Sequence, residues 1–203
     1  QVLQQLRPRL LIADTVGLGK TLEAGILTAE LMRRGKARRI LVVTTKSMMR
    51  QFQQEFWNRF TIPLTRLDSA GIQRIRRDIP ANHNPFNYYD RTIISVDTLK
   101  RDSEYRHYLE SAWWDLIIID EAHNVSYKGN RTQSNRLAEL LSQRSDALIL
   151  LTATPHNGKK DSFASLVRML DPTVLPSGAD YTREDVDHLF VRRFKKDVRE
   201  QMK

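Results

Sequence analysis

Lys20 and Thr21 close the turn Asp14-Thr15-Val16-Gly17-Leu18-Gly19, which follows the apolar run Leu10-Leu11-Ile12. Successive backbone N–H groups in such a turn make a concave anion site. A helix beginning just beyond it adds its positive end. Gly17 and Gly19 let the backbone approach an anion without Cβ clashes. Lys20 is spaced to reach β- and γ-phosphates, and the Thr21 hydroxyl to hold Mg²⁺. Asp14, Gly17, Leu18, Gly19, Lys20 and Thr21 are therefore the candidate nucleotide-binding residues. The general pattern wants a glycine six residues before the lysine, and Asp14 stands there instead.

A second group completes that chemistry. Trp113-Trp114-Asp115-Leu116-Ile117-Ile118-Ile119 runs almost unbroken into Asp120-Glu121-Ala122-His123. Such a run suits a strand buried on both faces of a parallel sheet, and ligands bind beyond the carboxyl ends of those strands. Asp120 is placed to bind Mg²⁺, directly or through water, and Glu121 to orient or deprotonate an attacking water. A third apolar strand ends in Leu151-Thr152-Ala153-Thr154-Pro155. The short hydroxyls of Thr152 and Thr154 are candidates to bond the Asp120–His123 turn. His123 reads as a coupling residue rather than a metal ligand, because the five histidines show no metal spacing.

These groups need a scaffold, and its order is legible. Apolar strands are expected near Leu10–Ile12, Ile40–Thr44, Thr92–Val96, Leu116–Asp120 and Ala147–Leu151, with a short one at Pro63–Leu67. Helices are expected at Thr21–Arg34, from a Ser47 cap through Trp57, at Thr132–Gln143 and at Ser162–Leu170. Gly35 marks the stop of the first. This alternation argues for a parallel α/β sheet with helices on both sides. Trp113 and Trp114 are expected to pack, and Trp57 to seat its helix on the sheet. Residues 71–91 read as a short basic helix and a loop.

The chain has 203 residues and 40% hydrophobic content, enough for one domain with a real core. No run approaches the roughly 18 apolar residues of a membrane span. Cysteine is absent, which excludes disulfides and thiolate metal sites and fits a reducing, cytoplasmic setting. The net charge of +9 favours a polyanionic partner. No leader pattern is visible, and Gln1 at the start suggests a fragment of a longer chain.

The three motifs together resemble those of superfamily 2 helicases and, more narrowly, Swi/Snf-type ATPases. Asp14 through Thr21 is similar to their motif I, in which an aspartate commonly precedes the glycine turn. The family usually carries an acid at the next position, where this chain has Thr15. Asp120-Glu121-Ala122-His123 is similar to motif II, and Leu151-Thr152-Ala153-Thr154-Pro155 to motif III. The likeness extends to bacterial members, an RNA polymerase recycling factor and the Snf-like helicase component of the DISARM anti-phage system. The phrases Val16–Gly25 and Thr154–Gly158 lean toward the second.

The resemblance implies a RecA-like P-loop NTPase lobe over 1–180, with a mostly parallel central sheet and helices on both faces. A basic exit segment over 181–203, including Arg192-Arg193-Phe194-Lys195-Lys196, would lead toward a second RecA-like lobe. It also implies ATP and Mg²⁺ as cofactors and Glu121, Asp120 and Lys20 as catalytic residues. Double-stranded DNA is the expected partner, along with accessory defence proteins and no membrane. The glycine-loop spacing leaves Gln4 and Gln5 too close to serve as the family's adenine-contacting glutamine, which is expected before residue 1. The fragment alone is expected to be inactive. Motifs Ia and Ib fall at Thr44-Thr45-Lys46-Ser47 and Ser95-Val96-Asp97-Thr98-Leu99. Thr45, Lys46, Ser47 and Ser95 are the nucleic-acid candidates, with Arg50 and Lys100 behind them. Relatives often carry proline at the Thr45 position. An RNA-directed helicase lobe and a non-motor nucleic-acid-binding module with a vestigial nucleotide pocket are the alternatives.

Overall fold

The structure is a computed structural model that describes residues 7–13, 19–101, 103–153, 160–174 and 186–191. Asp14, Gly17, Leu18, Thr154 and the basic run 192–196 lie outside the described residues. Seven strands pair in parallel: β1 Arg9–Ile12, β2 Ile40–Thr44, β3 Thr65–Leu67, β4 Arg91–Ser95, β5 Trp114–Ile119, β6 Ser145–Leu151 and β7 Phe190–Val191. Their spatial order is β3-β4-β2-β5-β6-β1-β7. β2 is buried at every position, and alternate residues of the central strands feed two separate cores. That double burial is why these strands read as continuous apolar runs.

Helices α1 Lys20–Arg33 and α2 Met49–Phe60 pack on one face, through residues such as Leu31, Phe52 and Phe56 against Leu10, Val42 and Ile118. On the opposite face lie α3 Ser69–Asp78, α4 Val96–Arg101, α5 Ser103–Ser111, α6 Gln133–Ser142 and α7 Lys160–Leu170. The division follows from crossover handedness. The chain moves one way across the sheet from β1 to β3 and the other way from β3 to β7. With one crossover hand, reversing direction switches the face. β1 and β6 are neighbours whose following helices leave on opposite faces, which opens a crevice at their carboxyl ends. Among the described residues no helix is long and apolar enough to cross a membrane.

Local signals account for several boundaries. Gly35, at φ 68°, follows α1. Its N–H reaches Met32 O, and Lys36 N–H reaches Leu31 O, the paired bonds of a Schellman stop. Asp68 caps α3 through Gly71 N–H, and Thr132 caps α6 through Asn135 N–H. Inside α1, Gly25 sits against the Phe60 ring, where an added Cβ would lie 1.9 Å from the nearest ring carbon.

Three readings need correction, and some elements were not anticipated. Ser47 does not cap α2: Met48 occupies the cap, and the Ser47 hydroxyl lies 3.1 Å from that of Thr45. Trp57 is 54% exposed, because Phe52 and Phe56 occupy the sheet-facing stripe of α2 instead. Trp114 is buried, but Trp113 is 41% exposed and donates through Nε1 to Asp146. The strand alternation puts these adjacent tryptophans on different sides. Helices α4 and α5 were not anticipated between β4 and β5. β7, within the stretch assigned to the exit segment, joins the sheet edge beside β1.

Candidate nucleotide site

The site forms where β1, β2, β5 and β6 end. Gly19 takes a left-handed conformation, φ 89° and ψ 32°, and α1 starts at the next residue. The Gly19 carbonyl accepts the first helical bond, from Glu23 N–H at 3.0 Å. The first turn of a helix carries the positive end of its dipole, which favours an anion there. Lys20 and Thr21 lead that turn, both half-buried.

Asp120 follows β5, and its N–H donates to Val43 O at 2.8 Å, extending the β2–β5 ladder by one rung. One carboxylate oxygen accepts from the Thr44 hydroxyl at 2.9 Å. Burial pushes the Asp120 carboxyl above its ordinary value; the Thr44 hydroxyl pulls it back, Glu121 raises it by charge, and the Glu121 N–H and Lys20 lower it. Lys20 and Asp120 thus share one electrostatic environment.

Glu121 adopts φ 50° and ψ 45°, left-handed for a residue with a Cβ. That conformation costs about 1–2 kcal/mol and is held by its surroundings. A short helical turn, Ala122–Asn124, follows at once. His123 Nδ1 lies 3.2 Å from Glu121 Oε2 and 3.2 Å from Thr152 Oγ1. A protonated Nδ1 donates to the carboxylate; an unprotonated one accepts from the hydroxyl. Thr152 is fully buried, and its N–H donates to Ile12 O at 3.0 Å. Glu121, His123 and Thr152 are thereby linked to the last residue of β1. The turn is also anchored to α7: Ser126 donates to His123 O at 2.9 Å and lies 2.6 Å from the Ser162 hydroxyl. Sequence reading missed Ser126 and Ser162, since isolated serines carry no pattern.

The donor set fits Mg²⁺ bound with nucleotide. That ion takes one or two carboxylates with substrate phosphates and waters rather than an all-protein cage. Asp120 with the Thr21 hydroxyl is such a partial set. Among the described residues no group of three or more His, Asp or Glu could hold a metal alone.

The nucleic-acid candidates separate. Lys46 and Ser47 are exposed and Thr45 is half-buried on the loop after β2. Ser95 is 2% exposed, and its hydroxyl accepts from Thr98 N–H at 3.1 Å. Its hydroxyl therefore caps the start of α4 and also lies 2.9 Å from the Thr98 hydroxyl. Lys46 and Ser95 nevertheless line one cavity of about 340 Å³ with Arg66, Asp68 and Asp97. Lys100 is ion-paired to Asp97 at 2.7 Å, and Arg50 is exposed. Thr44, the first residue of the motif Ia stretch, is 1% exposed and turned toward Asp120. Only the strand order reveals this, by setting β2 beside β5.

Fold and site together define a RecA-like α/β lobe of the helicase-type ATPases. A family model described as the SNF2-related domain matches residues 2–202, and the chain belongs to that family. It is 34% identical over 174 residues to the RNA polymerase-associated protein RapA of Sodalis glossinidius, covering 85% of this chain and 18% of that protein. RapA of Yersinia pestis matches with the same identity and coverage. The chain thus spans 18% of the length of these relatives. A Sulfolobus solfataricus SWI2/SNF2 ATPase core in complex with dsDNA shares the fold at TM-score 0.72 and 23% identity, over 96% of this chain and 46% of that one. The Pyrococcus furiosus Hef helicase domain does so at TM-score 0.66 and 19% identity, over 95% and 36%.

Proposed function

We propose that this chain is the ATP-binding lobe of a DNA-dependent ATPase that translocates on duplex DNA. The observation that carries this is the hydrogen-bonding group formed by Glu121, His123 and Thr152, set beside Asp120 and within the electrostatic reach of Lys20. The backbone turn before α1, with Lys20, would hold the triphosphate. Thr21 and Asp120 would hold Mg²⁺, which supplies charge neutralisation at the phosphates. Glu121 would orient or deprotonate the attacking water. His123 and Thr152 (and Thr154 by its place in the motif) would couple that carboxylate to the end of β1.

The exposed Lys46 loop follows β2 and would meet a DNA strand through its phosphates. A second RecA-like lobe would supply the arginine finger and the other half of the groove. Phosphate contacts repeat along any duplex, so this reading requires little sequence preference. A role in phage defence, with accessory proteins, rests on the likeness of Val16–Gly25 and Thr154–Gly158 alone; the relatives named above are RNA polymerase-associated proteins.

A salt titration of the full-length protein against two unrelated duplexes and a matched single strand tests the partner. Affinity should fall steeply with salt and be equal for the two duplexes. Salt-insensitive binding, or a large preference for one duplex sequence, contradicts a phosphate track. Equal single-strand and duplex binding contradicts duplex translocation and favours the RNA- or single-strand-directed alternative.

A further inference from the structure

We propose that Thr44 is a positioning residue for Asp120, and that through it the nucleic-acid-facing loop acts directly on the metal-binding carboxylate. This rests on the nucleotide site proposed above. Along β2, Val42 belongs to the core on the α1 face and Val43 to the opposite core. Along β5, Ile118 and Ile119 divide the same way. Val43 is in register with Ile119, so Thr44 and Asp120 come next on neighbouring strand ends. A period of two turns both side chains toward the α1 face, where Lys20 begins its helix. The 2.9 Å bond from Thr44 Oγ1 to Asp120 Oδ2 is the outcome.

The bond has a specific consequence. Its acceptor is one oxygen of a half-buried carboxylate, and a hydroxyl donor there fixes the carboxylate plane against which a cation would bind. Thr44 is itself 1% exposed, so water cannot readily replace the hydroxyl if it is removed. The backbone doubles the link, since Asp120 N–H bonds Val43 O, the residue before Thr44. Thr45, Lys46 and Ser47 follow Thr44 without a break, and Lys46 and Ser47 are exposed. A strand of DNA that pulls on this loop moves the donor that orients Asp120. Binding energetics are reciprocal, so DNA should tighten the divalent cation and the cation should tighten DNA.

The test uses the full-length protein with Thr44→Val and Thr44→Ser. Valine keeps the branched shape and deletes the hydroxyl; serine keeps the hydroxyl. Mn²⁺ affinity in the presence of ATP is read by electron paramagnetic resonance, with and without duplex DNA, alongside ATP affinity in chelator. Thr44→Val should weaken Mn²⁺ by about 10-fold or more, the range for groups that orient a metal ligand. ATP affinity in chelator should stay within about twofold, Thr44→Ser should recover most of the Mn²⁺ affinity, and the DNA-induced tightening should shrink in Thr44→Val. Unchanged Mn²⁺ affinity in Thr44→Val overturns the proposal while leaving the nucleotide site intact. So does a serine variant as weak as the valine one. If the unsubstituted protein holds no Mn²⁺ with ATP, the nucleotide site itself is overturned.

Discussion

Gly25→Ala places one methyl group where α1 meets α2. The new Cβ would lie 1.9, 2.5 and 2.6 Å from three Phe60 ring carbons. Carbon atoms settle near 3.5 Å or beyond, so the ring must withdraw by roughly 1.5 Å. Phe60 is half-buried and meets Phe56 edge-on at 6.0 Å between centroids, so withdrawal loosens that pair. Overpacking of this kind costs about 1–3 kcal/mol. Alanine returns up to about 1 kcal/mol over glycine inside a helix. The net expectation is a loss of about 1–2 kcal/mol. Urea denaturation followed by tryptophan fluorescence measures it. In a Phe60→Ala background the clash is gone, and the same substitution should be neutral or stabilising by up to about 1 kcal/mol. Stabilisation by Gly25→Ala in the unsubstituted protein, or equal effects in both backgrounds, would refute this packing argument.

Three further outcomes are expected. Glu121→Gln should keep ATP affinity but lose turnover by roughly 10²-fold or more, as an amide cannot act as base; Lys20→Ala should weaken ATP binding as well, and separate affinity and turnover measurements distinguish the two. Asp120 has a folded-state pKa raised above its ordinary 3.8, chiefly by burial. Its stabilising share is therefore fully present below that ordinary value and is lost as pH rises through the window up to the folded-state value. Asp120→Asn should raise the melting temperature at pH 7 and flatten this part of the pH profile; a lower melting temperature at pH 7 would contradict the burial argument. Thr61 ends α2 at φ 56° with a branched Cβ. Thr61→Gly should relieve that strain and stabilise by about 0.5–1 kcal/mol in chemical denaturation, whereas a loss would show that the threonine is favourable there.

The strands were legible because burial on both faces writes long apolar runs, as in Leu116 through Ile119. The ends of α1 were legible because Gly19 and Gly35 mark left-handed positions, both of which the backbone adopts. Amphipathic helices were harder. In α2, Phe52, Phe56 and Trp57 all look like core, yet a helix offers one buried stripe and Trp57 falls outside it. The segment holding α4 and α5 lacks a glycine or proline break and carries many charges, so its helices did not stand out. In the candidate site, Lys20, Thr21, Asp120 and Glu121 are proposed from local spacing. The Thr44–Asp120 bond was not legible that way, because it depends on a strand order that places β5, third later in the chain, beside β2. The capping role of Ser95 was hidden for a related reason: a hydroxyl at a strand end carries no local mark of the helix that follows it.

The most direct measurement is the MgATP turnover of the full-length protein with and without duplex DNA, repeated with Glu121→Gln. Turnover stimulated by duplexes of unrelated sequence, and abolished at both DNA conditions by Glu121→Gln, is the expected result. Turnover that ignores DNA, or that persists in Glu121→Gln, would contradict the assignment of this chain as the ATP-binding lobe of a DNA-driven motor.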